Sequence, residues 1–328
     1  MAGLKLEAAA ETFPLENVFR ISRGSRSETR VVTVKLTQNG VSGRGEATPY
    51  GRYGETVEGV LEAIEATASL LNSTSMPFDL QAMLPAGAAR NALDCALHDL
   101  RARQKGVRVT QMLSLPPVTA QETAVTISIG SPEAMAKSAA LYAAHPLLKV
   151  KLDEHKIQER IEAIRQTSPQ NKIIIDPNES WTLDILKHHA AFFSAMNISL
   201  LEQPLPAGKD EGIAECSGSI PVCADESCHT AADLPDLVGK YQVINIKLDK
   251  TGGLTEAIQL KKAAVSMGFD IMVGCMIGSS LAMAPAMLVT SGASFVDLDG
   301  PLLIKEDRVG GLTFNTGIIE PPTQDFWG

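Results

Sequence analysis

The sequence predicts an α/β protein: a TIM-type (β/α) barrel carrying an N-terminal α+β capping domain. Three observations predict it. After residue 120, short apolar strands alternate with helical stretches eight times, whereas before it strands come first and helices follow. The apolar runs also close on ionisable residues, all at the same end. A parallel barrel buries both faces of its strands, so they read as continuous apolar runs, and their C-terminal ends converge on one mouth.

Residues 29–37 are β-branched and extended in character, Asn39-Gly40 supplies a hairpin turn, and a second strand runs towards Glu46. Val57, Val60, Leu61, Ile64 and Leu71 then fall on one helical face. A second helix over 88–104 carries Leu93, Leu97 and Leu100, with Gly106 just beyond its end. Leu115-Pro116-Pro117 marks a boundary. The capping domain is therefore expected over 1–118 and the barrel over 119–302, with the Gly- and Pro-rich tail 303–328 returning to join the first domain. The eight predicted barrel strands are 123–129, 147–151, 172–176, 198–202, 221–225, 242–247, 270–274 and 294–297.

Bulk properties narrow the partners. The 328 residues are 45% hydrophobic and 20% charged, with a formal charge of −9, which disfavours nucleic acid and anionic membrane surfaces. No apolar run approaches the ~18 residues of a membrane span. Glu7 and Glu11 stand where a signal peptide would be apolar, so a cytoplasmic location is expected. The five cysteines (Cys95, Cys216, Cys223, Cys228, Cys275) are odd in number and scattered. Cys223 and Cys228 lack a second pair or a spaced His pair, so reduced thiols are expected rather than a zinc site.

The residues closing the strands are Lys151, Asp176, Glu202, Asp225, Lys247 and Asp297, with Gly274 on the seventh. A single strand-end charge commonly faces solvent. Six in register are better explained by a shared site. Asp176, Glu202 and Asp225, on adjacent strands, offer hard oxygen ligands suited to Mg²⁺, for which Mn²⁺ could substitute. Lys149 and Lys151, two residues apart on a strand, point to the same side, and their like charge is expected to lower at least one pKa towards neutrality. Lys247 lies across the mouth, so two lysines could take a proton from one face of a carbon and return it to the other.

This constellation resembles the enolase superfamily, in its muconate-lactonizing subgroup. The resemblance rests on Lys149-Val150-Lys151, the carboxylates Asp176, Glu202 and Asp225, and Lys247. It extends to Leu201-Glu202-Gln203-Pro204, Ala224-Asp225-Glu226-Ser227 and Lys247-Leu248-Asp249-Lys250-Thr251-Gly252-Gly253, with Pro177 a small departure. It implies a base lysine and a cation that stabilise an ene-diolate. The subgroup holds cycloisomerases, o-succinylbenzoate synthases, N-acylamino acid racemases and dipeptide epimerases. Asp297-Leu298-Asp299 resembles the pair by which dipeptide epimerases hold a substrate ammonium. Arg26, in the segment Ile21 to Glu28, matches the arginine that meets a glutamate side chain in L-Ala-D/L-Glu epimerases.

The resemblance thus implies a small dipeptide substrate, most simply Ala-Glu from murein peptides. Lys151 and Lys247 would be the bases and Lys149 would orient the carboxylate. Asn178, Glu226 and Asp249 would stand behind the metal ligands, and Arg52 and Tyr53 would complete a lid. N-acylamino acid racemase and o-succinylbenzoate synthase are the alternatives within the superfamily. A non-catalytic peptide-binding protein is a more distant one. Whether the chain forms a homo-oligomer, as barrels of this family often do, is left open.

Overall fold

A computed structural model describes residues 3–71, 74–215 and 220–328; Cys216 lies outside them. Three antiparallel strands open the chain: β1 (Lys5–Ile21), β2 (Gly24–Gln38) and β3 (Val41–Ala47), in the order β1-β2-β3. Asn39 and Gly40 turn between β2 and β3, both at positive φ (52° and 80°), as the Asn-Gly pair predicts. The two helices follow as α1 (Val57–Ala68) and α2 (Ala88–Lys105). Thr56 caps α1 by accepting from Gly59 N, and Gly106 ends α2 in the left-handed region.

The first strand was not predicted, and with it the nature of the segment 21–28 changes. That segment is the tip of a long hairpin rather than a free loop: Phe19 pairs with Arg26 and Ile21 with Gly24. Ala8-Ala9-Ala10 and Pro14 hide β1 from a propensity reading, and pairing with β2 overrides them. The register slips between Pro14 and Phe19, where Pro14 O accepts from Lys305 N.

All eight predicted barrel strands form, in sequence order and parallel. They are Val125–Ile127, Leu147–Lys151, Lys172–Asp176, Leu200–Glu202, Val222–Ala224, Val243–Ile246, Asp270–Gly274 and Phe295–Asp297, called here the first to eighth barrel strands. Ala124 N donates to Val296 O at 2.8 Å, which brings the first strand to the eighth and nearly closes the ring. Ile174, Leu200, Cys223, Val243 and Met272 plug the interior, while Ile173, Ile175, Val222, Ile244 and Ile271 face the helices.

Two devices fix the capping sheet over the barrel. Helix α2 lies directly on β3, because Gly43 and Gly45 have no side chain to separate them. A Cβ on Gly45 would stand 2.1 Å from Ala92 O. The other face of α2 grips the turn after the sixth barrel strand: Arg90 donates to Thr251 O (2.7 Å) and Gly252 O (3.1 Å), and Asn91 donates to Asp249 (2.9 Å). The C-terminal residues return to the same sheet, with the buried Trp327 donating to Arg44 O and Gly328 N donating to Asp99.

The close helix–strand approach has a direct consequence. Gly45→Ala should destabilise the protein by about 3 kcal/mol, because backbone rather than a flexible side chain must move. A lowered chemical denaturation midpoint, with unchanged slope, is the expected result.

Candidate functional site

Six of the eight barrel strands carry apolar residues into the wall and bring a charged residue, at the strand end or just after it, to the mouth or directly beneath it. The structure gathers Lys149, Lys151, Asn178, Asp225, Glu226, Lys247, Asp297 and Asp299 around one cavity of about 60 Å³. Arg26, Arg23, Tyr50 and Tyr53 reach it from the capping side. Asp176 and Glu202 lie directly beneath, with no exposed surface.

The floor is a lattice of opposite charges. Lys149 Nζ stands 2.7 Å from Glu202 Oε2, 2.8 Å from Asp297 Oδ2 and 3.2 Å from Asp176 Oδ2. Lys151 Nζ lies 2.5 Å from Asp176 Oδ2 and donates to Asn178 Oδ1 at 3.2 Å. Across the mouth, Lys247 Nζ lies 2.5 Å from Asp225 Oδ2. Burying such charges is tolerable only when they are paired, and here they are.

This pairing decides the direction at Lys149. Burial opposes the charge on Lys149, but Asp297, Glu202 and Asp176 outweigh it and hold its pKa well above the ordinary lysine value. Lys247 is likewise held up, against its burial, chiefly by Asp225. Three carboxylates within 3.2 Å of the Lys149 ammonium favour its charged form. The acids answer in kind. Asp176 is held at about 2 in spite of burial, by Lys151 and Lys149, whereas burial and the neighbouring Asp176 push Glu202 up to about 7.

Several contributors escaped the sequence reading. Lys250, fully buried, donates to Asp225 Oδ1 (2.7 Å) and Asn245 O (2.8 Å), and so braces Asp225 from behind. Asn245 donates to Glu202 Oε1 at 2.7 Å. Gly274 leaves room for that amide, since a Cβ there would meet Asn245 Oδ1 at 2.7 Å. The glycine closing a strand where its neighbours carry ionisable groups was the available signal. Glu179, which binds Arg52 and Arg23, carried none.

The proposed companions of the metal ligands divide. Asn178 and Glu226 line the cavity, and Asn178 N donates to Asp176 Oδ1 at 2.9 Å. Asp249 is turned towards the capping domain, accepting from Thr48 N and Asn91 Nδ2 at 2.9 Å each. At the eighth strand, Asp299 Oδ2 accepts from Thr126 N (2.7 Å), while the buried Asp297 Oδ1 has no hydrogen-bond partner among the described residues. Burial and the adjacent Asp297 push Asp299 up to about 7.

The donor set suits a divalent cation. Asp176, Glu202 and Asp225 are buried hard oxygen donors on three adjacent strands, and Glu202 Oε2 has no aligned hydrogen-bond donor. Among the described residues, no three Asp, Glu, His or Cys side chains are drawn tightly enough together to form a finished metal cage. The Lys149 ammonium stands between two of the three carboxylates.

Comparison with known proteins places this architecture. Residues 5–114 match the family described as mandelate racemase / muconate lactonizing enzyme, N-terminal domain, and residues 133–324 match the one described as enolase C-terminal domain-like. The chain belongs to the mandelate racemase and muconate lactonizing branch of the enolase superfamily, and it is an isomerase of the racemase and epimerase kind. It is 45% identical over 309 residues to the L-Ala-D/L-Glu epimerase of Escherichia coli (strain K12), covering 94% of this chain and 96% of that one. It is 46% identical to the N-acetyl-D-glutamate racemase of a Pseudoalteromonas species, covering 91% and 95%. An Agrobacterium tumefaciens enolase family member with homology to dipeptide epimerases, solved with sodium and L-Ala-L-Glu, superposes with a TM-score of 0.96 at 46% identity, over 99% of this chain and all of that one.

The Asp249 carboxyl supplies a pH test away from the cavity. Burial, only partly offset by the bonds from Thr48 N and Asn91, pushes it up to about 7. The folded state therefore keeps a proton that the unfolded chain has already lost. Stability falls as pH rises from the ordinary aspartate range to about 7. Asp249→Asn keeps both donors satisfied and should remove that dependence. Its stability relative to wild type should rise with pH across this window in denaturation measurements.

Proposed function

We propose that the protein epimerises the α-carbon of the C-terminal residue of a dipeptide, with Ala-Glu as the substrate. The observation that carries this reading is the placing of Lys151 and Lys247 on opposite sides of one cavity, each held by a different carboxylate. Asp176, Glu202 and Asp225 would hold Mg²⁺, or Mn²⁺ in its place. When bound, that cation supplies positive charge where negative charge grows on the substrate carboxylate. Lys151 and Lys247, each now paired to one of these carboxylates, would then be the groups left to exchange a proton with the substrate.

The remaining roles follow from position. One lysine takes the α-proton and its opposite returns a proton to the other face. Lys149 orients the substrate carboxylate. Asp297 and Asp299 bind the N-terminal ammonium, a use supported by the unpartnered Asp297 oxygen. Of the two tip arginines, Arg23 is already engaged by Glu179 and Glu226, whereas Arg26 stacks beside Tyr50 at the cavity edge and is the one left to read a substrate carboxylate. Turnover of Ala-Glu in the cytoplasm would recover murein peptides.

A second reading is favoured by the 46% identical N-acetyl-D-glutamate racemase. Such a substrate offers the same glutamate but no ammonium. Asp297→Asn and Asp299→Asn separate the two: Ala-Glu turnover should collapse in both variants, while turnover of N-acetylglutamate would survive if that were the true substrate.

Proton NMR of L-Ala-L-Glu in D₂O tests the reaction itself. The glutamate α-proton signal should disappear as L-Ala-D-Glu signals grow, and chelator should abolish both changes. Lys151→Ala and Lys247→Ala should each abolish epimerisation, and each should retain exchange of a single stereoisomer. Full activity in either variant would defeat the two-base scheme.

Arg26→Met should lower kcat/KM for Ala-Glu by about tenfold to a hundredfold, the worth of one charge-assisted hydrogen bond, and leave Ala-Leu little changed. Steady-state kinetics with the two dipeptides checks it.

A further inference from the structure

The tip of the β1–β2 hairpin is clasped to the barrel through residues that the proton transfers do not by themselves require. Ser22 Oγ donates to Pro177 O (2.8 Å), and Arg23 Nη1 donates to Asn178 O (2.9 Å) and Glu179 Oε2 (3.0 Å). Arg23 Nη2 lies 2.8 Å from Glu226 Oε1. Arg52, from the segment before α1, donates to both oxygens of Glu179 at 2.8 Å, and Ala207 N donates to one of them at 2.9 Å. One carboxylate therefore knots together the hairpin tip, a second capping loop and two barrel loops.

The knot sits on strained backbone. Asn178 and Glu179 both hold positive φ, 48° and 69°. For residues other than glycine this costs on the order of 1 kcal/mol each and persists where surrounding bonds enforce it. Asn178 is also where the clasp meets the chemistry. Its carbonyl accepts from Arg23, its N–H donates to Asp176, and its side-chain oxygen accepts from Lys151. Lys247 is tied to the clasp less directly: it bonds to Asp225 and feels only the charge of the neighbouring Glu226, which Arg23 reaches. Phe19, Ile21, Arg23, Arg26 and Tyr50 wall both the cavity of about 60 Å³ beneath and a second one of about 330 Å³ beside it, so a dipeptide reaching the lysines passes the clasped tip.

We propose that Arg23 and Glu179 are positioning residues whose clasp, on closing, sets the Asn178 amide on Lys151, so that closure of the hairpin tip is coupled more tightly to the proton transfer at Lys151 than to the one at Lys247. This rests on the two-lysine reading above.

The test compares the initial rates of α-deuterium incorporation into L-Ala-L-Glu and L-Ala-D-Glu, each at saturation. Lys151→Ala identifies which stereoisomer Lys151 serves. Arg23→Met and Glu179→Gln should shift the ratio of the two rates by about fivefold or more against that stereoisomer. Arg23→Lys should recover most of the ratio. Arg52→Met, which touches Glu179 but not Asn178, should raise KM and leave the ratio alone. Arg23 lies at the hairpin tip, so its replacement does not disturb the core. Equal loss on both stereoisomers, or no change, would overturn the coupling.

A second readout needs no turnover. Acylation by acetic anhydride, followed residue by residue by mass spectrometry, should modify Lys151 about threefold faster in Arg23→Met than in wild type, with Lys247 unchanged. Should wild type exchange neither dipeptide, the functional reading fails, and the labelling alone decides the clasp. Unchanged Lys151 labelling would overturn it.

Discussion

The Lys149 ammonium, buried among Asp176, Glu202 and Asp297, is the interaction on which the rest of the site depends. Three buried carboxylates, from the third, fourth and eighth barrel strands, cannot be packed together unless positive charge is packed with them. Lys149 supplies it from the adjacent strand, Lys151 and Lys247 extend it to either side, and Lys250 completes it from below. The barrel makes this arrangement cheap. Parallel strands end in register, so each residue needs only to be the last of its strand to enter the mouth.

That charge lattice also explains why the capping domain is attached as it is. A floor of paired charges needs a roof that keeps water out, and the hairpin of β1 and β2 supplies one. Its attachment is split between two kinds of contact. Helix α2 is fixed, through Asn91 on Asp249 and through the two glycines of β3 pressed on its backbone. The hairpin tip is held by polar bonds from Ser22 and Arg23, which water can replace, with Arg20 O accepting from Ile129 N and Phe19 packed beside Ile277 just behind it. A rigid hinge and a releasable edge are what a lid over a solvent-sensitive proton transfer requires.

Much of this was legible in the sequence because barrels write their pattern along the chain. The eight strands recur in order, each marked by an apolar run and six of them by a terminal charged residue, and every one of them formed. The site was legible for the same reason: Lys151, Asp176, Asp225 and Lys247 could be read one by one from strand ends. β1 was not legible, since its alanines and Pro14 argue against a strand until β2 is beside them. Asn245 and Lys250 were hidden too, because each acts through a neighbour that only the folded ring brings close.

The sequence by itself determined the barrel, the order of its strands and the kinds of group that meet at its mouth, because strand period and strand ends are local properties. It could not decide the charge state of those groups. Two lysines two residues apart suggest mutual repulsion, and only the tertiary structure places three carboxylates within 3.2 Å of Lys149. Nor could it decide that Asp249 faces the cap, or that Glu179 ties the hairpin tip to the barrel. Such pairings join residues far apart in the chain, and their strength depends on distances and burial that no local pattern encodes.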